Sequence, residues 1–311
     1  MKRRSFLASA ASISAVSASG VSLTPVVAEA QTAPSATTSI PITGTPVPKL
    51  AAFDRFMVEF MTRFAVPGAQ CAVSKDGRAV YSRGFGYVSG PDPSRKQLPE
   101  VQPDAIFRIA SSSKSITAVA ILALVQDGRL KLSDHAFTIL SDYTPPPGKN
   151  PDPRLRFITV RQLLDHSSGF VDEPFDVQFG GLRLAADALG KPRPATNVDC
   201  IRYQMGRPLG FEPGTSYSYS NVGYNTLGRI IERITNATYG AAVNALILGP
   251  LGIRGMALMT RTSPSARLPR EVSYFDGPHA LGAYSIYEDD PSVQQYSYGG
   301  FDGTVIDAHG G

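Results

Sequence analysis

The sequence feature that most constrains the fold is a segment whose apolar residues would lie on nearly every face of a helix. Residues 116–126, ITAVAILALVQ, place apolar side chains almost all round a helix, and Gly128 supplies its end. A helix with this pattern is buried rather than laid on a surface. No run of about 20 apolar residues follows the N-terminal leader, so the segment predicts a globular core and not a membrane span.

The residues before this segment have the apolar patterns of an amphipathic helix and then of two β-strands. One helical face over residues 50–64 collects Leu50, Phe53, Met57, Phe60, Met61 and Phe64. Two strand-like runs follow, GAQCAVS and RAVYSRGFGYV, joined by Lys75-Asp76-Gly77. Asp-Gly between two such runs predicts a β-hairpin. Gly84 and Gly86 lie inside the second run with the wrong spacing for a dinucleotide loop, so they are interpreted as strand glycines.

The residues after the apolar segment are predicted to form further helices and then strands. Short helices are predicted at VRQLLDH, residues 160–166, and from about Val222 to Ile234. From about residue 272 the chain is rich in Tyr and Gly and has a strand-like pattern. Strands, a helical middle and strands again predict a mixed α/β fold in which one sheet carries a helical insertion.

Length and charge limit the class of protein. The 311 residues, 42% hydrophobic and 18% charged, provide enough apolar surface for two ordinary domains or one large α/β domain. Half of the formal net charge of +4 comes from Lys2, Arg3, Arg4 and Glu29. No block of like charge follows, so nucleic-acid binding is not predicted.

The first residues have the features of an export signal. Arg3-Arg4 precedes Ser5-Phe6-Leu7 in a pattern that resembles a bacterial twin-arginine signal, and Ala28-Glu29-Ala30 is a small-x-small cleavage site. A membrane anchor is the alternative, but the run is polar and rich in serine. We therefore expect a signal peptide at 1–30, a linker at 31–49, and a periplasmic or secreted protein that does not stay inserted in a membrane.

Export permits disulfide bonds, and the chain has two cysteines, Cys71 and Cys200. A bridge between them and two separate buried thiols both remain open. Neither cysteine lies in a motif typical of a nucleophile.

A possible nucleophile lies just before the apolar helix, in FRIASSSKSIT. Ser111 and Lys114 are three residues apart, and positions i and i+3 share a helical face. A lysine there can accept the serine proton if its pKa is lowered, and a helix N-terminus favours the negative charge that develops. The alternative is a set of serines that only cap a buried helix.

Two further motifs could complete such a site. Tyr219-Ser220-Asn221 lies between a Pro-Gly turn and a helix; a tyrosine near an ammonium can serve as a base, and an asparagine can contact a substrate amide. His309-Gly310-Gly311 could let the backbone approach a ligand closely. The alternatives are a packed tyrosine loop and a flexible terminus.

Taken in order, these motifs resemble the serine β-lactamases and penicillin-binding proteins, and most closely the class C β-lactamase and D-alanyl-D-alanine carboxypeptidase branch with its related esterases. The resemblance covers most of residues 50–311. The matching segments are Phe107-Arg108-Ile109-Ala110-Ser111, Leu163-Leu164-Asp165-His166-Ser167-Ser168-Gly169, Pro213-Gly214-Thr215 with Tyr219-Ser220-Asn221, Pro250-Leu251-Gly252, and His309-Gly310.

The resemblance implies a fold and a set of roles. The family fold is an antiparallel sheet built from both chain ends, flanked by helices, with an inserted, mostly helical subdomain. Ser111 would be the nucleophile, Lys114 its proton partner, and Tyr219 the base and the acid toward the leaving group. Asn221 would contact substrate or hold Lys114, and His309, Gly310 and Gly311 would bind substrate. The implied reaction is acyl transfer through a serine ester, without metal or cofactor.

At the third motif this chain has His309, where many members of the family have lysine. A mostly neutral His309 favours substrates without a carboxylate, so esters or amides are expected over penicillins. The other histidines, His135, His166 and His279, lack metal-ligand spacing. His166 falls in a structural segment of the family and is interpreted as a core or turn histidine.

The family continues past its third motif with further strands and a helix. We therefore expect residues 50–311 to form a hydrolase domain that is incomplete at its C-terminus. The alternative is a non-catalytic or truncated binding protein on the same scaffold. A structural or adhesion domain would require all three motifs to be accidental.

Overall fold

The computed structural model describes residues 39–89, 98–172, 174–276, 282–287 and 293–311. The expected signal peptide, residues 1–30, lies outside the described residues, as do residues 31–38 of the expected linker and His279.

An antiparallel sheet of three strands opens the described chain. Strands β1 (Ile42–Thr43), β2 (Gly68–Lys75) and β3 (Arg78–Gly86) are arranged in the order β1-β3-β2. Asp76 and Gly77 have φ angles of 51° and 73°, the left-handed values that a two-residue hairpin turn requires, so the predicted hairpin is confirmed. Gly84 lies in β3 and is therefore a strand glycine, as predicted. No side chain fits there, because an added Cβ would lie 2.0 Å from the carbonyl oxygen of Val101.

Strand β1 corrects the boundary expected for the linker. Ile42 pairs with Phe85, within residues assigned from composition to a linker ending at residue 49. Ile40, Ile42 and Val47 pack against the buried side chains of Met61, Tyr81 and Phe85. The apolar contacts of these residues outweigh the local Pro- and Thr-rich composition.

Helix α1 (Ala51–Phe64) packs one side of its surface on this sheet. Met61 is buried, and the Tyr81 hydroxyl donates a 2.6 Å hydrogen bond to Asp54. The predicted helix is confirmed, but the predicted apolar face is only partly covered, since Phe53, Phe60 and Phe64 are exposed.

The middle of the chain is helical, and it contains the main core. The helices are α2 (Ser113–Gln126), α3 (Ala136–Ile139), α4 (Val160–Leu164), α5 (Leu182–Leu189), α6 (Asn197–Met205), α7 (Asn221–Thr235) and α8 (Tyr239–Val243). Ile121 and Leu124 of α2 and Leu227 and Ile230 of α7 are fully buried in this core. The predicted helices at 116–126, 160–166 and 222–234 are thereby confirmed.

Helix α2 is less enclosed than its sequence predicts. Val119 and Leu122 are about half exposed, so one stripe of the helix lacks cover in the described part of the chain. No helix among the described residues is both long enough and apolar enough to cross a membrane.

The strands near the end of the chain form a separate ladder. Strands β4 (Ala283–Tyr284) and β5 (Val293–Gln294) pair only with each other among the described residues. The mixed fold with helices and an antiparallel sheet is confirmed, and within the described residues β4 and β5 form a ladder apart from β1, β2 and β3. Most of residues 293–311 form turns, which a composition rich in Gly and Tyr also permits.

Both cysteines are free thiols, which decides between the two alternatives of the sequence. Cys200 is fully buried in α6, and Cys71 is half-buried on β2. Burial raises the pKa of each thiol, so both stay protonated and unreactive at neutral pH.

Candidate active site

Ser111 lies in the short 3₁₀ turn Ala110–Ser112 that leads directly into α2. Ala110 has a φ of 46°, a left-handed conformation that a residue with a side chain adopts at some cost. The segment before the turn is anchored by Arg108, whose guanidinium lies 3.9 Å from the centre of the Tyr274 ring. The Arg108 backbone N–H donates to the Tyr274 hydroxyl at 2.8 Å. These contacts hold the backbone just before Ser111 in place, and so they position the Ser111 side chain.

The three sequence motifs converge on the ammonium group of Lys114. Its Nζ lies 3.2 Å from Ser111 Oγ, 2.7 Å from Asn221 Oδ1 and 3.0 Å from the His309 carbonyl oxygen. The Tyr219 hydroxyl lies 2.7 Å from Ser111 Oγ. Lys114 is buried, whereas Ser111 and Tyr219 are exposed. The amine is thus enclosed while the serine oxygen remains accessible to a substrate.

The start of α7 positions the second motif. The Ser220 side chain caps this helix by accepting from the Gly223 N–H, and the Ser220 N–H donates to Nδ1 of His166 at 3.1 Å. The His166 ring also lies 4.7 Å from the Tyr219 ring, centre to centre. His166 has a φ of 60° at the end of its segment, so the interpretation as a turn histidine is confirmed.

Burial controls the protonation of the site. Burial lowers the pKa of Lys114 to about 8, although the charges of Asp176 and Asp172 act in the opposite direction. Burial also raises the pKa of Tyr219, against the opposing effect of its hydrogen bond to Ser111. Near neutral pH the phenol therefore keeps its proton, while the amine of Lys114 is close to its titration point.

The third motif approaches the site through its backbone. Three side chains of α2 donate to its carbonyl oxygens: Thr117 to Ala308 at 2.5 Å, Lys114 to His309, and Ser113 to Gly311 at 3.2 Å. On the other side, a Cβ added at Gly228 of α7 would lie 2.6 Å from that of Ala308. The segment is therefore held tightly between two core helices.

The His309 ring does not share in these contacts. It is almost fully buried beside Phe179, and neither of its nitrogens has a hydrogen-bond partner. Burial lowers its pKa well below the usual value, so the ring is neutral. The N–H groups of Gly310 and Gly311 both donate to the Ile306 carbonyl. Substrate binding by His309, Gly310 and Gly311 stays a prediction.

Two acidic residues that lie outside the three sequence motifs also reach the site. Asn221 donates from Nδ2 to Asp176 at 2.5 Å and from its backbone N–H to Asp172 at 3.3 Å. Burial and the neighbouring charge of Asp176 raise the pKa of Asp172 to about 6. The only sequence signal was their position shortly after the segment that contains His166. Among the described residues, no group of three or more His, Cys, Asp or Glu could hold a metal ion.

Comparison with known proteins gives consistent matches. The beta-lactamase family model matches residues 53–291. Protein flp of Staphylococcus aureus (strain N315) is 31% identical over 198 residues, which are 64% of this chain and 36% of that protein. Esterase EstB of Burkholderia gladioli is 28% identical over 218 residues, which are 68% of this chain and 50% of that protein. The chain thus spans half or less of the length of these relatives.

A solved structure supports the same assignment. The octameric penicillin-binding protein homologue from Pyrococcus abyssi superposes with a TM-score of 0.54 and 26% sequence identity. The match covers 83% of this chain and 54% of that one. With a family match that covers most of the sequence, the chain belongs to the beta-lactamase family.

Proposed function

We propose that this protein is an exported serine hydrolase that forms an acyl-enzyme on Ser111 from an ester, an amide or a β-lactam. One observation carries the proposal: the accessible Ser111 hydroxyl lies within hydrogen-bond distance of both Lys114 and Tyr219. A nucleophile, a nearby amine with a lowered pKa and a hydroxyl relay are the groups that serine acyl transfer needs.

In the first half of the reaction, the neutral amine of Lys114 accepts the Ser111 proton as Oγ attacks the substrate carbonyl carbon. The Oγ–carbon bond forms, and the electron pair of the carbonyl moves to its oxygen. When the tetrahedral intermediate collapses, the bond to the leaving group breaks. Tyr219 donates its proton to the leaving group, and the Lys114 ammonium, whose Nζ lies 4.7 Å from the centre of the Tyr219 ring, then returns a proton to the phenolate oxygen.

In the second half, water takes the place of the leaving group. It loses a proton to the same pair of residues and attacks the acyl carbon. The bond between the acyl carbon and Oγ then breaks, the pair returns the proton to Ser111, and the acyl group leaves as a carboxylic acid. We assign the first proton acceptance to Lys114 rather than Tyr219, because burial lowers the pKa of the amine to about 8 and raises that of the phenol. This assignment differs from the roles that the family resemblance implies.

We propose that neutral esters are preferred over substrates that carry a carboxylate. The support is the third motif, where His309 is buried and its lowered pKa keeps the ring neutral. A neutral ring provides no positive charge to pair with a carboxylate. Esterase EstB, named above as a relative, is consistent with this choice.

We also propose export by the twin-arginine route, which rests on the sequence of residues 1–30 alone. The test is to express the full chain in a bacterium with that pathway and to determine the N-terminus of the periplasmic form. Replacing Arg3 and Arg4 with lysines should retain the precursor in the cytoplasm. Unchanged periplasmic yield from that variant would contradict the proposal.

A covalent label tests the hydrolase proposal directly. A fluorophosphonate should react with the full chain once, with loss of fluoride, and peptide mass spectrometry should find the adduct on Ser111. The Ser111→Ala variant is the control and should remain unlabelled. If a folded wild-type chain acquires neither this adduct nor one from a fluorescent penicillin, the alternative of a non-catalytic binding protein gains support instead.

A further inference from the structure

The orientation of the Asn221 side-chain amide is fixed by its two neighbours. The Lys114 ammonium can only donate a hydrogen bond, and a carboxylate such as Asp176 can only accept one. The 2.7 Å contact of Lys114 Nζ therefore requires the amide oxygen, and the 2.5 Å contact of Asp176 requires the amide nitrogen. With both neighbours in place, the flipped amide would lose both bonds and place like groups against each other.

Asp176 is itself held in place. Its other carboxylate oxygen accepts from the Gln178 backbone N–H at 2.8 Å, which closes a short turn. Asp172 holds the same asparagine from a second side, through the backbone N–H of Asn221 and the Ser220 hydroxyl. The amide thus belongs to a chain of bonds that runs from Asp176 through Asn221 to Lys114.

We propose that Asp176 is a positioning residue for the reaction: it keeps the oxygen of the Asn221 amide toward Lys114, and its negative charge acts on the Lys114 amine. The inference rests on the proposed function, because the amine matters only if Lys114 accepts the Ser111 proton. It assigns to Asp176 two separable effects, one through hydrogen-bond direction and one through charge.

The sign of the charge effect follows from the groups around the amine. Asp176 and Asp172 raise the pKa of Lys114, against the larger lowering by burial. Removing the charge of Asp176 should therefore lower the Lys114 pKa further and leave more neutral amine at a given pH. The other titratable or charged groups that face Lys114 or the two carboxylates are Tyr219, Tyr224, His166, His309, Arg207, Cys200 and Tyr296.

Two substitutions separate the two effects. Asp176→Asn has the same shape and removes the charge, and its one amide oxygen can still accept from Asn221 Nδ2 when its NH2 group takes the place of the oxygen that faces the Gln178 N–H. Asp176→Ala removes both the charge and the acceptor, so the Asn221 amide is free to turn. Asp187→Asn is the matched control, because Asp187 is an exposed carboxylate that pairs with Arg193 away from the site.

The first measurement does not depend on activity. In the full chain labelled with ¹³C at lysine Cε, the Lys114 resonance is identified by its loss in Lys114→Arg and then titrated. We expect a midpoint near pH 8 in the wild type, and a midpoint lower by about half a pH unit or more in both Asp176 variants. Asp187→Asn should titrate like the wild type. An unchanged midpoint in Asp176→Asn would overturn the inference.

The second measurement is the rate of fluorophosphonate labelling across the same pH range. At high pH, Asp176→Ala should react roughly ten-fold more slowly than Asp176→Asn, because only the former loses the bond that directs the amide. Equal limiting rates for the two variants would overturn the orientation effect. If the wild type is not labelled at all while the Lys114 midpoint still moves, the proposed function fails and the link from Asp176 to Lys114 stands.

Discussion

The hydroxyl oxygens of Ser111 and Tyr219 lie 2.7 Å apart, although 108 residues of chain separate them. Ser111 enters this contact from the turn before α2, and Tyr219 enters it from the residue before the cap of α7. Buried side chains of α2 and α7 belong to the same hydrophobic core, so the packing of these two helices holds the Ser111 and Tyr219 hydroxyls together. A proton can therefore pass between the two oxygens without any large movement of the backbone.

Ser111→Ala should abolish hydrolysis, since in the proposed mechanism the acyl group is carried on the Ser111 oxygen. A loss of several orders of magnitude in kcat/KM is expected, with an unchanged melting temperature because the side chain is exposed. Ser115→Ala, an exposed serine on the same helix, is the control and should retain wild-type activity. Activity that survives in Ser111→Ala would exclude Ser111 as the nucleophile.

Tyr219→Phe should reduce turnover about 100-fold or more, the usual effect of removing a positioned acid or base. The change removes one hydroxyl and little volume, so thermal unfolding should be unaffected. Tyr217→Phe is the matched control, because Tyr217 belongs to the same loop and is largely exposed. Equal rates in the two variants would mean that Tyr219 only packs against His166.

The pH profile of kcat/KM should show an acidic limb with its midpoint near pH 8. In the proposed mechanism Lys114 accepts the proton as a neutral amine, and burial lowers its pKa to about 8. As pH falls below that value, protonation should cost close to ten-fold per unit, and above it the rate should level off. Lys114→Arg, which stays charged at every pH, should be inactive throughout. A midpoint near 10 would contradict the assignment.

Neutral esters should be hydrolysed faster than substrates with a carboxylate near the reacting bond. The comparison uses p-nitrophenyl acetate and nitrocefin with the same preparation, each corrected for its spontaneous rate. The physical reason is the neutral, buried His309 in the third motif. A higher kcat/KM for nitrocefin would contradict the preference and would require a cation from elsewhere in the protein.

Asp152→Asn should destabilise the fold at neutral pH by about 1 to 3 kcal/mol, the effect of breaking a buried, charged hydrogen-bond network. The Asp152 carboxylate is buried and accepts from Arg154 and from the Leu209 N–H at 3.0 Å, and these bonds hold its pKa well below the usual range. Its contribution is present above the unfolded pKa of about 4 and is lost as pH falls toward the folded value.

Urea unfolding at pH 7 and at low pH measures this difference. The gap between wild type and Asp152→Asn should narrow as the pH is lowered below about 4, since Asp152 then binds a proton in the unfolded chain and the charged form that the fold favours becomes harder to reach. Asp187→Asn breaks an exposed pair with Arg193 and should leave the free energy of unfolding nearly unchanged at both pH values. A gap that does not change with pH would show that the charge of Asp152 is not what stabilises the fold.

The local features of the fold could be predicted because their causes are local. The Asp76-Gly77 turn needs only the left-handed conformations of its two residues, and α2 and α7 follow from apolar spacing. The proximity of Ser111 and Lys114 could also be predicted from local structure, since one helical turn sets their distance. Matching this motif with the later Tyr219 motif required the family pattern in addition.

The remaining features depend on the assembled fold. Nothing in the spacing of Asp172 and Asp176 indicates that both meet Asn221. The burial of the His309 ring also has no local signal, because it is set by α2 and by Phe179. Likewise the pairing of β4 with β5, and not with β3, depends on which edges come together in space.

The bonds around the Lys114 amine also determine when activity can appear as the chain folds. Its partners Asn221 and His309 lie 107 and 195 residues further along the chain. Closing such long loops costs entropy that short-range contacts do not require, so we expect this cluster to form after the local helices and the hairpin. A refolding experiment should accordingly regain helical circular dichroism first and reactivity of Ser111 only in the last kinetic phase. If Ser111 is the nucleophile, a partly folded chain should therefore show no reaction with a fluorophosphonate, rather than a slow one.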